Sequence, residues 1–574
     1  MFVGRLPTEE VSSTGYQKYN MMSICKSTRI VLLITGACMA LLSFRQVNFF
    51  DITKNLDIFI SLYKELNTYY VDTLQPDKLI KAGATAMLDD LDPYTDFIPE
   101  EDMDEYRIQT TGKYGGIGAI IGTRGEWVTI TEPYEGCPAA KAGLRAGDKI
   151  IEVNGKSTRN QKTDEVSSML KGKPGTTVQV KIRRLTADGS EQDMTVTLTR
   201  EEIKIKNVPY YGIIEEGIGY IRLINFTDRA GAEVRMALQQ MQSKAKLKGV
   251  ILDVRGNPGG LLHEAIHVAN VFVDRNVEIV STKGKMSEWD KTFFTTQDPV
   301  DTKVPLVVLA DGGSASASEI VSGALQDLDR AVIIGQKTYG KGLVQSTRSL
   351  PYGAKLKITT AKYYIPSGRC IQAINYAERN EDGSVKHIPD SLKNAFKTRN
   401  GRTVYDGGGI DPDIVTEPEK LANITASLVS KGLLFDYANL FRARHESIPD
   451  AASFALTEEE YDAFVQWLAG KEYDYTTESE KMLEELKAAS EKEKYYESLR
   501  TELESLKKNM SHDKLNDLKK AKSQIKSMLE EEIASRYYLS SGRIANSIRS
   551  DGDIRKAVEI LRDEQQMKKI LAKK

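Results

Sequence analysis

Two histidines that could share a metal ion stand at positions 263 and 267, in the stretch GGLLHEAIHVAN (residues 259–270). With Glu264 they spell HExxH, the pattern with which zinc proteases hold their metal and activate water. The pattern works only where a helix presents both imidazoles to the metal and a third ligand completes the site. The motif therefore raises a zinc metalloprotease as one hypothesis, to be weighed against the surrounding residues.

A second group of reactive side chains occupies residues 311–346, DGGSASASEIVSGALQDLDRAVIIGQKTYGKGLVQS. Small residues surround three serines between the apolar run PLVVLA and a helical run, which predicts a strand-to-helix turn that can expose a nucleophile. Lys337 and Lys341 follow in a glycine-rich turn, and no histidine occurs between residues 268 and 386. Burial lowers the pKa of a lysine and yields a neutral amine that can accept a serine proton. The residues alone allow a Ser-Lys hydrolase, but a tightly packed turn beside a solvent-exposed lysine is the more usual meaning of such a pattern.

The elements that position these residues form an alternating pattern. Residues 51–111 have helical spacing of apolar side chains and end near a turn, DPYTDF. Glycine loops and short alternating strands follow, such as TTVQVKI and DMTVTLT. Apolar strands then alternate with helical runs; the strands are GVILDV, PLVVLA, AVIIG and KLKITTAKYY. This order is typical of an α/β core. Beyond about residue 418 the chain becomes helical and charged.

Composition limits the partners. A chain of 574 residues is too long for a single hydrophobic core, so we expect several domains. A content of 40% hydrophobic and 28% charged residues indicates that these domains are globular. The net charge of −2 provides no basic field, so we expect no nucleic-acid partner. Four cysteines without a CxxC pair predict neither a disulfide framework nor a cysteine-held zinc.

The N-terminus predicts export. Lys26 and Arg29 precede IVLLITGACMALLSF (residues 30–44), an uncharged apolar run typical of a signal peptide or short signal anchor. The run is shorter than the roughly 20 residues of a comfortable membrane span, so cleavage and anchoring both remain open. We expect a protein of the cell envelope, on the periplasmic side or secreted, anchored in the inner membrane by residues 30–46.

The serine and lysine segments resemble the C-terminal processing (tail-specific) peptidases, a family of exported PDZ-containing serine proteases. GSASASEIVSGALQD followed by TYGKGLVQ carries the resemblance. LDPYTDFIPEED, GKYGGIGAII, ILDVRGNPGGLL, TTAKYYIPSGRCIQ and GGGIDPDI resemble the family in the same order. The resemblance covers roughly residues 50–417 and leaves the last 150 or so residues unassigned.

The resemblance implies specific catalytic roles. The nucleophile is Ser316, the lysine base is Lys341, and Gln345 helps to orient the lysine. The oxyanion hole uses backbone N–H groups of Ala317 and of either Gly259 or Gly260. Glycine suits that loop because backbone donors need close approach.

Residues 113–203 resemble a PDZ module. YGGIGAII resembles the loop that binds a terminal carboxylate together with the strand to which a peptide adds, and PAAKAGLRAGDKIIEVNGKS resembles a later PDZ segment. The expected donors are the N–H groups of Gly116, Ile117 and Gly118. The expected partners are protein substrates with free, apolar C-terminal tails.

These resemblances make a zinc site at the HExxH pattern less favoured. No HxxGxxH continuation follows, because Asn270 occupies the glycine position and Val273 the histidine position, although Glu288 stands further along as a distant third ligand. We expect two exposed histidines, no metal and no cofactor. A zinc metalloprotease and a non-catalytic PDZ scaffold remain as the alternatives to a serine endopeptidase.

The predicted fold is a multidomain α+β protein with a crotonase-like α/β protease core, an inserted PDZ domain, an N-terminal helical segment and a helical C-terminal extension. The expected boundaries are a tail at 1–29, a signal segment at 30–46, helices at 50–111, PDZ at 112–203, protease core at 204–417 and helical extension at 418–574. Leu499, Leu503, Leu506 and Met510 form a short amphipathic stripe. This stripe either joins two subunits in a homodimer or packs within its own domain.

Overall fold

The structure, a computed structural model, describes three stretches of the chain: residues 49–379, 384–510 and 514–572. The tail expected at 1–29 and the signal segment expected at 30–46 lie outside the described residues. Among the helices that are described, none is long and apolar enough to cross a membrane. The chain divides into two compact units, residues 1–84 and 85–574.

Two helices begin in the described part of the first unit: α1 (Phe49–Tyr69) and α2 (Pro76–Asp89). The Tyr63 hydroxyl donates a hydrogen bond to the Pro76 carbonyl oxygen at 3.0 Å and so connects them. Leu56 and Leu62, on the predicted apolar face of α1, are 54% and 55% exposed.

A β-rich module occupies residues 113–204 and follows a short strand and a helix, β1 (Asp96–Ile98) and α3 (Met103–Thr111). Its elements are β2 (Lys113–Gly116), β3 (Ala119–Arg124), β4 (Trp127–Pro133), α4 (Pro138–Lys141), β5 (Lys149–Val153), β6 (Lys156–Ser157), α5 (Thr163–Leu170), β7 (Thr177–Leu185), β8 (Glu191–Thr199) and β9 (Glu201–Lys204). The sheet has the order β3-β4-β5-β7-β8, with β6 on β5, and β2 pairs with β9. Val178, Val180 and Ile182 are buried, as their alternation predicts.

The α/β core follows. Its elements are β10 (Tyr210–Ile213), β11 (Ile218–Arg222), α6 (Ala230–Lys244), β12 (Gly249–Asp253), α7 (Leu262–Ala269), β13 (Glu278–Gly284), β14 (Lys291–Phe294), β15 (Leu306–Ala310), α8 (Ala317–Asp327), β16 (Val332–Gly335), β17 (Leu343–Ser349), β18 (Lys355–Tyr364), β19 (Ile374–Arg379), β20 (Val385–His387), β21 (Ala395–Lys397), β22 (Thr403–Tyr405) and β23 (Ile414–Val415). A six-stranded sheet has the order β10-β11-β12-β15-β16-β23, and all its pairings except β10–β11 are parallel. Side chains of α6, α7 and α8 cover one face. The predicted mixture of α and β structure is confirmed.

A second, antiparallel sheet has the order β1-β18-β13-β14, with β17 also paired to β18. Its strand β1 comes from DPYTDF, which the sequence predicts only as a turn. Asp96 and Ile98 pair with Lys357 and Lys355 of β18, so long-range pairing extends the turn into a strand. This pairing brings the turn before β1 to the core.

The C-terminal region is helical. Its helices are α9 (Asn423–Ser430), α10 (Leu433–Arg444), α11 (Glu458–Trp467), α12 (Glu478–Lys492), α13 (Tyr496–Met510), α14 (Lys514–Lys520), α15 (Lys522–Ser547), α16 (Gly552–Arg562) and α17 (Glu564–Leu571). Most of them share a separate apolar core. In the predicted stripe, Leu503 is buried, whereas Leu499 and Leu506 are exposed.

The last two helices complete the protease core. Ile554, Val558 and Leu561 of α16 pack on the second face of the six-stranded sheet, against side chains such as Ile251 and Val307. The parallel strands are therefore covered on both faces, as parallel sheets require.

Arg255 ties these helices to the loop after β12. Its guanidinium donates to Asp253 at 2.7 Å, to Asp551 at 2.8 Å and to Asp553 at 3.0 Å. Asp253 is fully buried, and the arginines beside it overcome its desolvation and lower its pKa to about 2. The loop that begins here leads directly to the glycines predicted for the oxyanion hole.

Candidate active site

Ser316 lies on a sharp turn between β15 and the first residue of α8. Its backbone angles are φ 54° and ψ −111°, outside the regions that non-glycine residues ordinarily occupy. Strained turns of this kind cluster at functional sites, where they expose a nucleophile at the start of a helix.

A buried carboxylate links the serine turn to the lysine turn. Glu319 accepts hydrogen bonds from the backbone N–H groups of Ser316 at 2.8 Å, Lys341 at 2.9 Å and Gly340 at 2.7 Å, and from the Thr338 hydroxyl at 2.6 Å. Burial raises the pKa of Glu319 to about 7, although these donors oppose the rise. The backbones of the two predicted catalytic residues are thus held side by side.

The sequence analysis did not single out Glu319, although a local signal was present. Ser316 and Glu319 form the Ser-x-x-Glu capping box of α8. The bonds to Thr338, Gly340 and Lys341 depend on the tertiary fold and have no such signal. Buried Tyr363 adds a second connection, because its hydroxyl lies within hydrogen-bonding distance of the carbonyl oxygens of Ser316 and Lys341.

Lys341 occupies an environment that disfavours the protonated form of its amine. Its Nζ lies 4.1 Å from the centroid of the Tyr94 ring. Burial, followed by the neighbouring Lys357 charge, lowers the pKa of Lys341 to about 8, while Asp92 opposes the shift. In the described part of the chain, no hydrogen bond joins this Nζ to Ser316 or to Gln345. The amine therefore rests on the Tyr94 ring, whereas the link to the serine turn runs through the Lys341 backbone N–H and Glu319.

Gln345 on β17 belongs to a polar chain that leads back to the turn before β1. Its Nε2 donates to the Thr359 hydroxyl at 3.1 Å, and the Thr359 N–H donates to the Thr95 hydroxyl at 3.2 Å. The Thr95 hydroxyl in turn donates to Asp92 at 3.1 Å. The segment DPYTDF thus supplies Asp92, Tyr94 and Thr95 to the site, a role that the sequence alone did not reveal.

Two backbone N–H groups near Ser316 are available to an oxyanion. Those of Gly260 and Ala317 make no hydrogen bond within the described residues, whereas the Gly259 N–H donates to the Asn257 side chain at 2.9 Å. Gly259 has φ +99°, and a Cβ there would lie 2.8 Å from the Ala317 nitrogen. Glycine at position 259 permits the close approach of the two loops, and of the two predicted glycines only Gly260 keeps its N–H without a hydrogen bond within the described residues.

Asn257 fastens these loops together. Its backbone oxygen accepts from the Ala315 N–H at 3.0 Å and from the Ser318 hydroxyl at 2.8 Å. The buried side chain also donates to the Leu223 carbonyl oxygen at 2.9 Å. Direct hydrogen bonds consequently join the glycine loop to the serine turn.

The β-rich module has an open sheet edge at β3, with α5 beside it. Ile121 on β3 and Met169 on α5 are half-buried and pack on the module's core. The N–H groups of Ile117 and Gly118, just before β3, make no hydrogen bond within the described part of the chain. Gly116 differs, because it ends β2 and pairs with Glu201 of β9.

Comparison with known proteins places these features in a family. Residues 217–378 match the model of peptidase family S41, residues 129–184 match a PDZ domain, and residues 424–561 match the C-terminal helical domain of a probable PDZ-protease. The carboxy-terminal-processing protease of Bartonella bacilliformis is 39% identical over 324 residues, which cover 56% of this chain and 73% of that protein. The chain belongs to the carboxy-terminal-processing proteases.

Other relatives agree. A probable CtpA-like serine protease of Staphylococcus aureus is 37% identical over 322 residues, covering 55% of this chain and 62% of that protein. The solved structure of a photosystem II D1 C-terminal processing protease is 27% identical in sequence to this chain. The match covers 63% of this chain and 93% of that protein. Its TM-score of 0.33 is too low to support a structural argument.

Family membership confirms the predictions of a serine-type, C-terminal-processing peptidase with a PDZ domain. It also assigns the region after residue 418, for which the sequence analysis had no counterpart, to a helical domain found in PDZ-proteases. The alternatives of a zinc metalloprotease and a non-catalytic scaffold are wrong.

The HExxH residues of this protease have another role. Glu264, only 4% exposed, accepts hydrogen bonds from the N–H groups of Arg229 at 3.2 Å and Gly231 at 2.8 Å, and so holds the start of α6. The side chains of His263 and His267 are 57% and 37% exposed. In the described part of the chain, no three side chains of metal-binding type converge.

Proposed function

We propose that this protease cleaves its substrates with Ser316 as nucleophile and Lys341 as general base, and that Gln345 orients the lysine. The shared hydrogen bonds of Glu319 to both backbones carry the proposal, because they keep the two turns in register. The lowered pKa of Lys341 supports it, since a neutral amine is the form that accepts a proton.

In this mechanism the Lys341 side chain leaves the Tyr94 ring and turns to the Ser316 hydroxyl. Ser316 Oγ bonds to the scissile carbonyl carbon while its proton passes to the neutral Lys341 amine. The N–H groups of Gly260 and Ala317 stabilise the negative oxygen that forms. Collapse breaks the C–N bond, and Lys341 returns its proton to the leaving amine. Water, activated by the regenerated amine, then hydrolyses the acyl-enzyme.

The PDZ domain would deliver the substrate by its free end. The N–H groups of Ile117 and Gly118 are suited to a terminal carboxylate, and a tail added along β3 would contact Ile121 and Met169. These contacts favour substrates with apolar C-terminal residues. Gly116 is not proposed as a donor here, since it already pairs with Glu201 at the end of β2.

The remaining features of the proposal concern location and architecture. The apolar run at residues 30–46 supports export and anchoring in the inner membrane, with the protease on the periplasmic side. The alternating sheet and helices support a crotonase-like core at 204–417 after a PDZ domain at 112–203. Exposed Leu499 and Leu506 support a homodimer through the terminal helices.

Cleavage of a reporter with an apolar free C-terminus tests the catalytic proposal. The full chain would be compared with Ser316→Ala, Lys341→Ala and Lys337→Ala. Lys337 is the matched control, because it lies in the same turn but pairs with Asp411 at 3.0 Å. We expect the first two changes to abolish cleavage and the third to preserve it, with or without a chelator. Activity that survives Lys341→Ala would refute the assigned base.

A further inference from the structure

A cleft of about 790 Å³ lies between the PDZ domain and the helical domain. On the PDZ side it is lined by one end of the sheet, from the β3–β4 turn at Arg124 to the β7–β8 hairpin. On the helical side it is lined by the α9–α10 turn, by α10 and by Trp467 of α11. Neither the catalytic residues nor the proposed carboxylate-binding loop belong to this lining.

The cleft carries an excess of positive charge. Seven cationic and three acidic side chains line it. Each acid already has a cationic partner: Asp436 pairs with Arg124, Glu191 with Lys149 and Asp148 with Arg184, at 2.6 to 2.7 Å. Four cations have no carboxylate partner within the described residues: Arg145, Lys431, Arg442 and Lys471.

Two other arginines of the cleft act on the charge of Arg145. Burial and then the charges of Arg184 and Arg442 lower the pKa of Arg145. Arg442 places its guanidinium 4.5 Å from the centroid of the Tyr537 ring, and its buried Nε makes no hydrogen bond within the described chain. Like charges held this closely repel, so an anionic group in the cleft would relieve the repulsion.

The cleft also continues the path of a bound tail. A carboxylate held at Ile117 and Gly118 lies at the start of β3, so the tail must run antiparallel to that strand. β3 ends at Arg124, six residues later, and Arg124 lines the cleft. At about 3.4 Å per residue, roughly the seventh residue from the C-terminus reaches the cleft.

We propose that this cleft binds an acidic segment of the substrate that lies about six to ten residues before its C-terminus. The preferred substrate would then combine an apolar free terminus with carboxylates upstream of it. This inference rests on the proposed carboxylate-binding loop, which fixes the direction of the tail.

The test is fluorescence anisotropy with the full chain carrying Ser316→Ala, so that bound peptides stay intact. Three peptides share an apolar free terminus and differ only upstream, where they carry glutamate, glutamine or lysine. A fourth is the glutamine peptide with an amidated C-terminus. Lys431→Gln/Lys471→Gln removes two cleft charges, and Lys156→Gln/Lys519→Gln removes two exposed charges that do not line the cleft.

We expect the glutamate peptide to bind about tenfold more tightly than the glutamine peptide, and the advantage to shrink in high salt. The cleft variant should reduce it to about threefold, because two of the four unpaired charges are gone and about half of the free-energy advantage goes with them. The control variant should retain it. Equal affinity for the two peptides, or an undiminished advantage in the cleft variant, would overturn the proposal. Loss of affinity on amidation separately tests the carboxylate-binding loop.

Discussion

Replacing Glu319 by glutamine tests whether one buried carboxylate keeps nucleophile and base in register. The carboxylate accepts four hydrogen bonds, two at each oxygen. Glutamine offers one oxygen and one NH₂ group. With its NH₂ toward Thr338, the threonine can turn to accept, but the Gly340 N–H then faces a donor. With its NH₂ toward the other side, the N–H groups of Ser316 and Lys341 both lose their acceptor.

The size of the effect follows from this count. One buried N–H without an acceptor costs about 1–3 kcal/mol, so we expect the free energy of unfolding to fall by about 2 kcal/mol. A shift of about 1 Å between reacting groups lowers a rate by roughly 100-fold. Because the PDZ groove is separate from Glu319, the loss should appear in kcat and leave KM nearly unchanged.

The assay compares initial rates and thermal unfolding of the full chain with those of Glu319→Gln and Glu264→Gln. Glu264 is a matched control, since it is also buried and also accepts two backbone N–H groups, but at the start of α6. Its variant should lose stability and keep kcat. Unchanged kcat in Glu319→Gln, or an equal loss of kcat in both variants, would refute the reasoning.

Three further predictions concern the same core. The rate should rise about tenfold between pH 7 and 9, because burial lowers the pKa of Lys341 to about 8 and its neutral form reacts. Lys357→Gln should move this rise to higher pH, because the Lys357 charge also lowers the pKa of Lys341. A pH–rate profile that stays in place would argue against Lys341 as the base. Gly259→Ala should lower kcat by about 100-fold or more, since its Cβ would lie 2.8 Å from the Ala317 nitrogen, whereas undiminished single-turnover rates would contradict the loop assignment. Asp551→Asn keeps a good helix cap but removes a charged partner of Arg255, so thermal unfolding should report a loss of about 1–2 kcal/mol, and an unshifted melting temperature would count against the tie.

Local patterns predicted much of the core. GVILDV, PLVVLA and AVIIG are strands of the parallel sheet, because uninterrupted apolar runs bounded by turns suit strands covered on both faces. The sequence also explained why glycine occupies position 259, since the close approach of the two backbones leaves no room for a side chain there.

Contacts between distant segments could not be predicted in this way. Asp92 and Tyr94 act on Lys341 although some 250 residues separate them in the sequence, because β1 pairs with β18. No local sequence pattern predicts that pairing. Likewise, the apolar face of α16 shows that the helix packs on something, but not that its partner is the catalytic sheet. Family resemblance supplied the roles of Ser316 and Lys341, whereas the carboxylate that joins them emerged only from the fold.

The placement of α16 and α17 has a consequence for the biogenesis of the protein. The face of the sheet that they cover is apolar, and its strands are synthesised more than 130 residues before residues 552–571. Until residues 551–571 are in place, this face lacks its helical cover and Arg255 lacks two of its three carboxylate partners, Asp551 and Asp553. Assembly of the catalytic loop is thereby coupled to the synthesis of residues 551–571, so a chain truncated before residue 551 would be a poor protease and a ready target for quality control.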